Sequence, residues 1–403
     1  MRLCLLSARF PPQQCGVGDY TYFLGCGLAR LGHEVHVLTA RGVLDDTLYP
    51  LPPNFTVHRI VEAWGLRALP QVVQSVRALR CDVVVIQYAP HAFDGRGITL
   101  GINLLPLLIR ALTPARVVTT FHEAYVPLNA SPRRVAGSLW QRAMAVVTAY
   151  ASHALVTPTP RGRRGLRRAG ILKPIALIPV GSNIPVAALT AEERATIRRR
   201  VLGASDGVLV GGFGNVHDRD LVAVFVAVAR LQADHRAAGF VWAGGSGADR
   251  ERRHVEQLLR AKGLPLPRVE FTGPLPHPEI SRTLGACDIA IMPFVDGVSA
   301  RRTSAITALQ HGLPLLTTRG PQVDPRFAHG VNAYLVPAGD CGALAEALLA
   351  LARRADLRER IAKGARTLYE RHFVWELITD AVARLAETSP RRAITPAPVP
   401  DLT

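Results

Sequence analysis

Residues 3–39, LCLLSARFPPQQCGVGDYTYFLGCGLARLGHEVHVLT, contain one complete structural unit. Two short runs rich in apolar residues, Leu3–Ser7 and Glu34–Thr39, flank a segment from Asp19 to Leu31 in which apolar side chains recur at helical spacing. Asp19 is a suitable N-cap residue and Gly32 a suitable C-terminal residue, so we expect a helix between them. A strand, a helix and a second strand in such a short stretch predict a parallel βαβ unit.

The same alternation continues along the chain. Short apolar runs that hardly alternate with polar residues are typical of strands buried on both faces. In the first half these runs are Leu3–Ser7, Glu34–Thr39, Thr56–Ile60, Val83–Ile86, Val117–Phe121, Ala154–Thr157 and Ala176–Ile178. A polar, basic helix opening at Ala191 interrupts the pattern, and a second series follows it: Val208–Gly212, Phe240–Ala243, Val269–Thr272, Ile289–Met292 and Leu315–Thr318. We therefore predict an α/β protein with parallel-sheet domains at 1–187 and 188–373, a helix at about 374–387 and a flexible, proline-rich tail at 388–403.

The amino-acid composition excludes some classes of protein and indicates the kind of partner. Hydrophobic residues make up 48% of the 403 residues and charged residues 20%, which excludes a disordered chain. The net charge is +17, and only three of the 48 basic residues are lysines, so the surface suits phosphate-bearing partners. Six cysteines without a CxxC pair indicate reduced thiols in a cytoplasmic protein. Neither a signal peptide nor a membrane-spanning run is expected, so any membrane contact should be peripheral.

The first candidate site is the glycine-containing loop after the first strand. Gly16, Val17, Gly18 and Asp19 precede or open the helix, where free backbone N–H groups can receive an anion. A tight strand-to-helix turn explains the glycines equally well. The second strand lacks the acidic residue at its end that would bind a ribose, which argues against a dinucleotide site.

The second candidate is His122 with Glu123, directly after the predicted strand Val117–Phe121. Ligands of open parallel sheets bind at the carboxyl ends of strands, so this position favours a functional histidine. The alternative is a histidine whose hydrogen bonds a neighbouring loop satisfies.

The third candidate follows the first strand of the second domain. Gly214 and Asn215 mirror the glycine-containing loop of the first domain, and Arg219 adds a cation for a phosphate. Asp218 and Asp220 could form a metal-binding pair, but we interpret them as a helix N-cap with a first-turn acid.

The fourth candidate, Met292–Ser304, follows a strand and opens a helix expected to end at Gly312. Small and hydroxyl residues there leave helix N–H groups accessible, and Arg301 and Arg302 can neutralise a diphosphate. The alternative is an arginine pair on a solvated surface.

A basic stretch, Arg161–Arg168, suits anionic lipid headgroups or a lipid-phosphate acceptor, or is simply a solvated face. It contains no aromatic side chain between its cations, which argues against nucleic acid as a partner.

Several segments together resemble a known family. The motifs are Pro11–Thr21, Leu28–Thr39, Thr120–His122, Ile178–Asn183, Phe271–Gly273, Ala286–Ile289, Gly312–Thr318 and Gly330–Val336. They are similar to the retaining glycosyltransferases of family 4 with the GT-B fold, over about residues 1–387. The resemblance implies two Rossmann-like parallel-sheet domains facing a cleft, with the terminal helix returning to the first domain.

The resemblance also implies that the two domains bind different substrates. The second domain would hold a nucleoside diphosphate sugar such as a UDP- or GDP-sugar, and the first would bind a glycan or lipid-linked acceptor. Sugar transfer would retain the anomeric configuration and need no metal or cofactor. Gly16, Val17, Gly18, Asp19 and Glu123 would belong to the sugar and acceptor side, with His122 near the transferred sugar. The acceptor would belong to glycolipid, exopolysaccharide or cell-envelope glycan synthesis at the inner membrane face.

The sequence departs from the family pattern in the second domain. The two glutamates typical of the family are replaced by Ser299 and Thr307, and Asn215 stands where a basic residue is usual. Arg301 and Arg302, which we predict to be catalytic with His122, would stabilise the leaving diphosphate. The remaining predicted donor and phosphate ligands are Gly214, Asn215, Arg219, Ser299, Ala300, Thr303, Ser304 and Thr307. A non-catalytic nucleotide-sugar binder and a GT-B epimerase or phosphorylase remain the alternatives.

Overall fold

The computed structural model describes residues 1–13, 15–42, 49–95, 97–123, 132–203, 206–214, 220–235, 237–245 and 248–388. The chain forms two compact units. Unit 1 comprises Met1–Pro179 and the segment from Trp375 onward, and unit 2 comprises Val180–Val374. The predicted tail beyond Thr388 lies outside the described residues, so that prediction stays open.

Unit 1 is built on a parallel sheet covered by helices. Its strands are β1 (Arg2–Leu6), β2 (Glu34–Ala40), β3 (Phe55–Val61), β4 (Val83–Tyr88), β5 (Arg116–Phe121), β6 (Ala154–Thr157) and β7 (Ile175–Leu177). Its helices are α1 (Gly16–Arg30), α2 (Leu69–Ala78), α3 (Pro90–Phe93), α4 (Leu100–Leu112), α5 (Pro132–Ala151) and α6 (Pro160–Arg168), with a 3₁₀ turn at Leu66–Ala68. Among the described residues the strand order is β3-β2-β1-β4-β5-β6-β7.

Unit 2 repeats this architecture. Its strands are β8 (Val208–Phe213), β9 (Ala238–Ala243), β10 (Glu270–Phe271), β11 (Ile289–Met292), β12 (Leu315–Arg319) and β13 (Tyr334–Pro337). Its helices are α7 (Ala191–Leu202), α8 (Leu221–Asp234), α9 (Ala248–Ala261), α10 (His277–Gly285), α11 (Thr303–Gln310), α12 (Cys341–Arg353) and α13 (Ala355–His372). The strand order is β10-β9-β8-β11-β12-β13, and every described pairing is parallel.

The strand order of each unit creates a crevice at one edge of its sheet. The order reverses between β1 and β4 in unit 1 and between β8 and β11 in unit 2. Connections leave in opposite directions at such a point, so the carboxyl ends of those strands border an opening where ligands bind. The loops after β1, β8 and β11, which the sequence singles out, all lie at these points.

The last helix, α14 (Trp375–Thr388), belongs to unit 1 and packs on α1. The Trp375 ring stacks on Phe23 at 5.5 Å between centroids and tilts against Tyr20 at 5.3 Å. Gly27 faces Thr379 so closely that a Cβ would clash with its side chain. A glycine on α1 therefore allows α14 to approach.

The sequence-based elements are confirmed with small shifts. A strand occurs at each of the twelve predicted positions, all within the described residues, and α7 begins with a capping box between Thr190 and Glu193. One detail is wrong: α1 begins at Gly16, and Asp19 lies inside its first turn instead of capping it. The sequence analysis also missed β13. Within the described ranges, no helix combines the length and apolarity that crossing a bilayer demands.

Candidate active site

In unit 2, residues 293–302 join β11 to α11 through a turn held by two glycines. Gly297 has φ +93°, and an added Cβ there would lie 2.6 Å from the backbone nitrogen of Gly320. A Cβ on Gly320 would lie 2.7 Å from the Asp296 carbonyl. Gln322 donates its backbone N–H to the Asp296 carbonyl at 2.8 Å. The close backbone contact fixes where the 293–302 loop places its side chains.

The predicted arginine pair is held by a carboxylate within the same loop. Arg302 Nη2 donates to Asp296 Oδ1 at 2.5 Å, and its guanidinium lies over the Phe294 ring at 4.6 Å. Arg301 Nη2 reaches Asp296 Oδ2 at the longer distance of 3.4 Å. The Arg302 side chain is 10% exposed and that of Arg301 25% exposed. Arg301 is therefore the more accessible cation, and Arg302 supports the loop.

Ala300, a predicted phosphate ligand, forms hydrogen bonds within the protein through both its N–H and its carbonyl group. It is fully buried, its carbonyl accepts from Val180 N–H at 3.1 Å, and its N–H hydrogen-bonds the Asp324 carboxylate. The prediction that Ala300 N–H faces an anion is therefore wrong, because a buried carboxylate already occupies that donor. Ser299 Oγ, 1% exposed, finds no hydrogen-bond partner among the described residues.

The first turn of α11 begins at Thr303, and its N-cap residue, Arg302, makes no side-chain capping bond. The N-terminus of a helix carries a partial positive charge that favours an anion. Thr307 lies one turn further on and is fully buried. Its hydroxyl contacts Ser182 Oγ at 2.9 Å and donates to the Thr303 carbonyl at 2.9 Å, so it stabilises α11.

The loop after β8 meets the same turn of α11. A Cβ on Gly214, whose φ is +90°, would lie 3.5 Å from Ser304 Cβ. Asp220 caps α8 by accepting from Ala223 N–H at 3.0 Å, so the described member of the Asp218 and Asp220 pair is the helix N-cap. Its own N–H donates to the Pro293 carbonyl at 3.0 Å, joining the two loops. Asn215, Asp218 and Arg219 lie outside the described residues.

In unit 1, the two glycines of the predicted loop have different surroundings. Gly16 is exposed, and an added Cβ would have no atom within 4 Å. Gly18 is buried, and its Cβ would lie 2.9 Å from the Arg9 carbonyl oxygen. Val17 is partly buried in the same turn, and Asp19 is buried one residue after Gly18. Packing accounts for Gly18 but leaves Gly16 without a structural explanation.

His122 lies at the end of β5, beside β4. Its N–H donates to the Tyr88 carbonyl at 3.0 Å, and Nε2 lies 2.8 Å from Gln87 Oε1. The Tyr20 ring packs edge-on at 4.7 Å. Burial lowers the pKa of His122 to about 4, so the imidazole is neutral near pH 7. Since an amide oxygen only accepts, Nε2 carries the proton and Nδ1 is the acceptor atom. The neighbouring Glu123 is exposed.

A crevice that the sequence analysis missed borders the same sheet edge. It has a volume of about 560 Å³ and is lined by residues that follow β1, β2, β3 and β4, including Arg9, Glu62, Trp64 and Asp94. Trp64 donates its indole N–H to the Ala8 carbonyl at 2.9 Å and packs against Phe93. The position of these residues just after predicted strands was the available signal.

Among the described residues, no group of three His, Cys, Asp or Glu side chains could hold a metal ion. Of the predicted donor residues that the structure describes, Gly214, Arg301, Arg302, Thr303 and Ser304 lie at the β8–β11 crevice of unit 2, whereas Ser299, Ala300 and Thr307 are almost completely buried.

Comparison with known proteins identifies the class. A family model described as "Glycosyltransferase Family 4" matches residues 15–184, and one described as "Glycosyl transferases group 1" matches residues 207–354. The fold is GT-B, as in sucrose-phosphate synthase from Thermosynechococcus elongatus, which has a TM-score of 0.75 at 20% identity over 96% of this chain and 98% of that one. The chain belongs to the family 4, group 1 glycosyltransferases.

Two individual proteins show how far the similarity to this chain extends. Phosphatidyl-myo-inositol mannosyltransferase from Mycobacterium leprae is 30% identical over 138 residues, which span 34% of this chain and 36% of the relative. The matched region thus spans about a third of that curated relative. The Anabaena protein HepE, solved in complex with UDP-glucose, has a TM-score of 0.70 at 16% identity, covering 96% of this chain and 99% of that one.

Proposed function

We propose that this chain transfers a hexosyl unit from a nucleoside diphosphate sugar to an acceptor hydroxyl with retention of configuration, in glycolipid, exopolysaccharide or cell-envelope glycan synthesis. The observation that carries the proposal is the meeting of Gly214, Arg301 and the first turn of α11 at the β8–β11 crevice. Family membership and the UDP-glucose complex of HepE support a nucleotide sugar as donor.

The donor diphosphate would bind at the first turn of α11. Departure of a nucleoside diphosphate builds negative charge, which backbone N–H groups and a cation can stabilise without a metal or cofactor. Arg301 and Arg302 with Asp296 carry a net charge of +1, so the loop offers less positive charge than two unpaired arginines would. Arg301, the more exposed of the two, would contact the diphosphate, and Arg302 would hold the loop in place.

The acceptor would bind to the β1–β4 crevice of unit 1. Glu62 and Asp94 can accept hydrogen bonds from ring hydroxyls, while Trp64 supplies an apolar surface. This combination suits a polyhydroxylated ring. His122, neutral and fixed by Gln87, offers Nδ1 as an acceptor for a sugar hydroxyl. The open space at Gly16 would allow a ligand to approach the backbone.

A cytoplasmic membrane face would present a lipid-linked acceptor. An apolar groove of about 950 Å³ between α2 and α4 is lined by Leu66, Val73, Leu108 and Leu112, together with Arg77 and Arg80. Apolar side chains framed by arginines suit the surface of an anionic bilayer. The α6 surface supplies exposed arginines, but its leucine, Leu166, is fully buried. We therefore place the membrane contact at the α2–α4 groove rather than at Arg161–Arg168.

The test is calorimetric titration with UDP, GDP, ADP and their sugars, followed by mass spectrometry of products formed with lipid extracts. We expect one nucleotide class to bind, and binding to weaken in Arg301→Ala but not in Arg230→Ala. Arg230 is an exposed arginine of unit 2 that pairs with Glu346 at the surface. Absence of binding to every nucleotide would refute the proposal. Binding without product from any acceptor would favour a non-catalytic binder, and epimerised free sugar an epimerase.

A further inference from the structure

A second basic pocket lies in unit 2, away from the β11–α11 loop. It has a volume of about 520 Å³ between the 326–332 segment and α13. Arg360, Lys363, Thr367 and Arg371 line it from one face of α13, where they recur at helical spacing. Arg326 completes the lining from the opposite wall. Among the described residues that line the pocket, none is acidic.

The walls of this pocket are closely fitted. Asn332, 8% exposed, accepts from Ala328 N–H at 2.8 Å and donates to the Arg326 carbonyl at 2.9 Å. Gly364 on α13 lies directly against the Val331 carbonyl, where a Cβ would clash. The segment therefore holds its shape, and its one arginine, Arg326, is kept in the same pocket as the cations of α13 at an electrostatic cost that a bound anion would relieve.

The charge of the pocket points to a phosphate-bearing ligand. Four cationic side chains converge on a concave surface, and among the described residues Arg326 pairs with Asp324 while Arg360, Lys363 and Arg371 form no ion pair. Burial, followed by the charges of Arg326 and Arg371, lowers the pKa of the adjacent His372. A concave site of this size fits a small anion better than a flat membrane surface.

Arg326 links the pocket to the proposed donor site. Its Nε and Nη2 donate to the two Asp324 oxygens at 2.9 and 2.8 Å, and its guanidinium lies 5.1 Å from the Phe373 ring centroid. Asp324 is 2% exposed. Burial raises its pKa, but the hydrogen bonds and charge of Arg326 outweigh burial and hold the pKa below its ordinary value.

Asp324 in turn holds the 293–302 loop. Its N–H donates to the Val298 carbonyl at 2.9 Å, and its carboxylate receives the Ala300 N–H. Asp324 therefore connects Arg326, in the wall of the pocket, with the 293–302 loop that carries Arg301. Arg326 Nη1 has no hydrogen-bond partner among the described residues, so it can bind an anion while Nε and Nη2 stay on Asp324.

We propose that this pocket binds a small phosphate-bearing anion, and that the bound anion strengthens donor binding by fixing Arg326 and Asp324 against the 293–302 loop. The coupling rests on the proposed function of that loop, whereas binding of the anion does not. By linkage, the donor strengthens anion binding by the same factor.

The first experiment measures anion binding by calorimetric titration with inorganic pyrophosphate. We expect the double variant Lys363→Ala/Arg371→Ala to weaken binding by about tenfold or more, and Arg230→Ala to leave it unchanged. Arg301→Ala should change it little. Loss of binding in Arg301→Ala with none in the double variant would place the anion at the donor site and overturn the proposal. So would binding to phosphatidic acid vesicles without binding to pyrophosphate.

The second experiment measures the coupling. The nucleotide that binds among UDP, GDP and ADP is titrated with and without inorganic phosphate, and phosphate should tighten its binding by about 5–150-fold, the usual range for coupled sites. Lys363→Ala/Arg371→Ala should abolish this effect. Arg326→Lys, checked for folding by thermal unfolding, should keep most phosphate binding but lose the coupling, since an ammonium cannot bridge Asp324 bidentately. No effect of phosphate on nucleotide binding would overturn the coupling. If none of UDP, GDP and ADP binds, the proposed function fails while pyrophosphate binding stands on its own result.

Discussion

Gly18 lies so close to Arg9 that the carbonyl oxygen of Arg9 would be 2.9 Å from any Cβ at position 18. Two residues earlier, the same substitution at Gly16 would meet open space. The two glycines of one motif are thus present for different reasons. Close backbone packing requires the second glycine, whereas no neighbouring atom requires the first, in line with our proposal that a ligand approaches there.

This contrast predicts opposite outcomes for a matched pair of variants. Gly18→Ala should unfold at a lower temperature, because the new methyl group collides with backbone. Gly16→Ala should be as stable as the parent or up to about 1 kcal/mol more stable, since alanine favours the helix. We expect Gly16→Ala nevertheless to reduce sugar transfer by about tenfold or more. Thermal unfolding and a transfer assay check both, and normal transfer by Gly16→Ala would remove the glycine from the site.

The two arginines of the 293–302 loop should respond differently to substitution. Arg301→Ala should lower turnover by about 10–1000-fold with little change in unfolding temperature, because Arg301 is the more exposed and contacts Asp296 only at 3.4 Å. Arg302→Ala should also lower the stability, since it removes the contacts with Phe294 and Asp296. Turnover and thermal unfolding of both variants are the measurements. An unchanged rate in folded Arg301→Ala would exclude it from the mechanism.

The environment of His122 predicts a dependence of stability on pH. Its pKa is about 4 in the folded protein and near 6.5 in the unfolded chain. Between these values the unfolded chain binds a proton that the folded protein does not, so stability is full above pH 6.5 and falls as the pH drops towards 4. The contribution is at most about 3 kcal/mol and is reduced by partial exposure.

The variant His122→Gln isolates this contribution. Urea unfolding at pH 7.5 and pH 5 should show a smaller loss of unfolding free energy in the variant than in the parent. Other histidines whose pKa burial lowers, such as His277 and His311, affect both proteins equally and cancel in the comparison. Equal losses in both proteins would contradict the lowered pKa of His122.

The architecture could be predicted from sequence because buried parallel strands have a clear signature. Short apolar runs such as Ile289–Met292 are typical of strands that are buried on both faces of a sheet. Their alternation with helices predicts the parallel connection. The edge strand β13 was missed although the shorter strands β7 and β10 were predicted, so neither length nor partial burial explains the omission. Asp19 was misassigned because a good capping residue and a buried first-turn acid look alike in sequence.

The site was less predictable because tertiary hydrogen bonds decide which groups remain accessible. Sequence placed Ala300, Arg301 and Arg302 correctly at a strand end and helix start. It gave no sign that Asp324, more than twenty residues further along the chain, occupies the Ala300 N–H, or that Asp296 holds both arginines. Such partners depend on the approach of Gly297 to Gly320, which only the fold reveals.

The apolar groove of unit 1 gives a prediction about membrane binding. Leu66 and Leu112 line the groove and are 52% and 54% exposed, so substitution there removes little packing. Leu66→Gln/Leu112→Gln should keep the stability of the parent and weaken sedimentation with phosphatidylglycerol vesicles by about 10–50-fold, from the transfer free energy of the exposed parts of two leucines. Leu377→Gln is the matched control, because Leu377 on α14 is 47% exposed and lies outside the groove.

The same assay separates the two basic surfaces of unit 1. Arg77→Ala/Arg80→Ala should weaken vesicle binding by about 1 kcal/mol per cation, and the loss should shrink as salt screens the lipid charge. Arg163→Ala/Arg164→Ala on α6 removes the same charge where no apolar side chain of that helix can enter the bilayer. If the α6 variant lost more binding than the α2–α4 variants, the contact would lie at Arg161–Arg168 and rest on charge alone. Because charge without insertion is lost at high salt, binding of the parent that survives about 0.5 M salt would independently favour the leucine-lined groove.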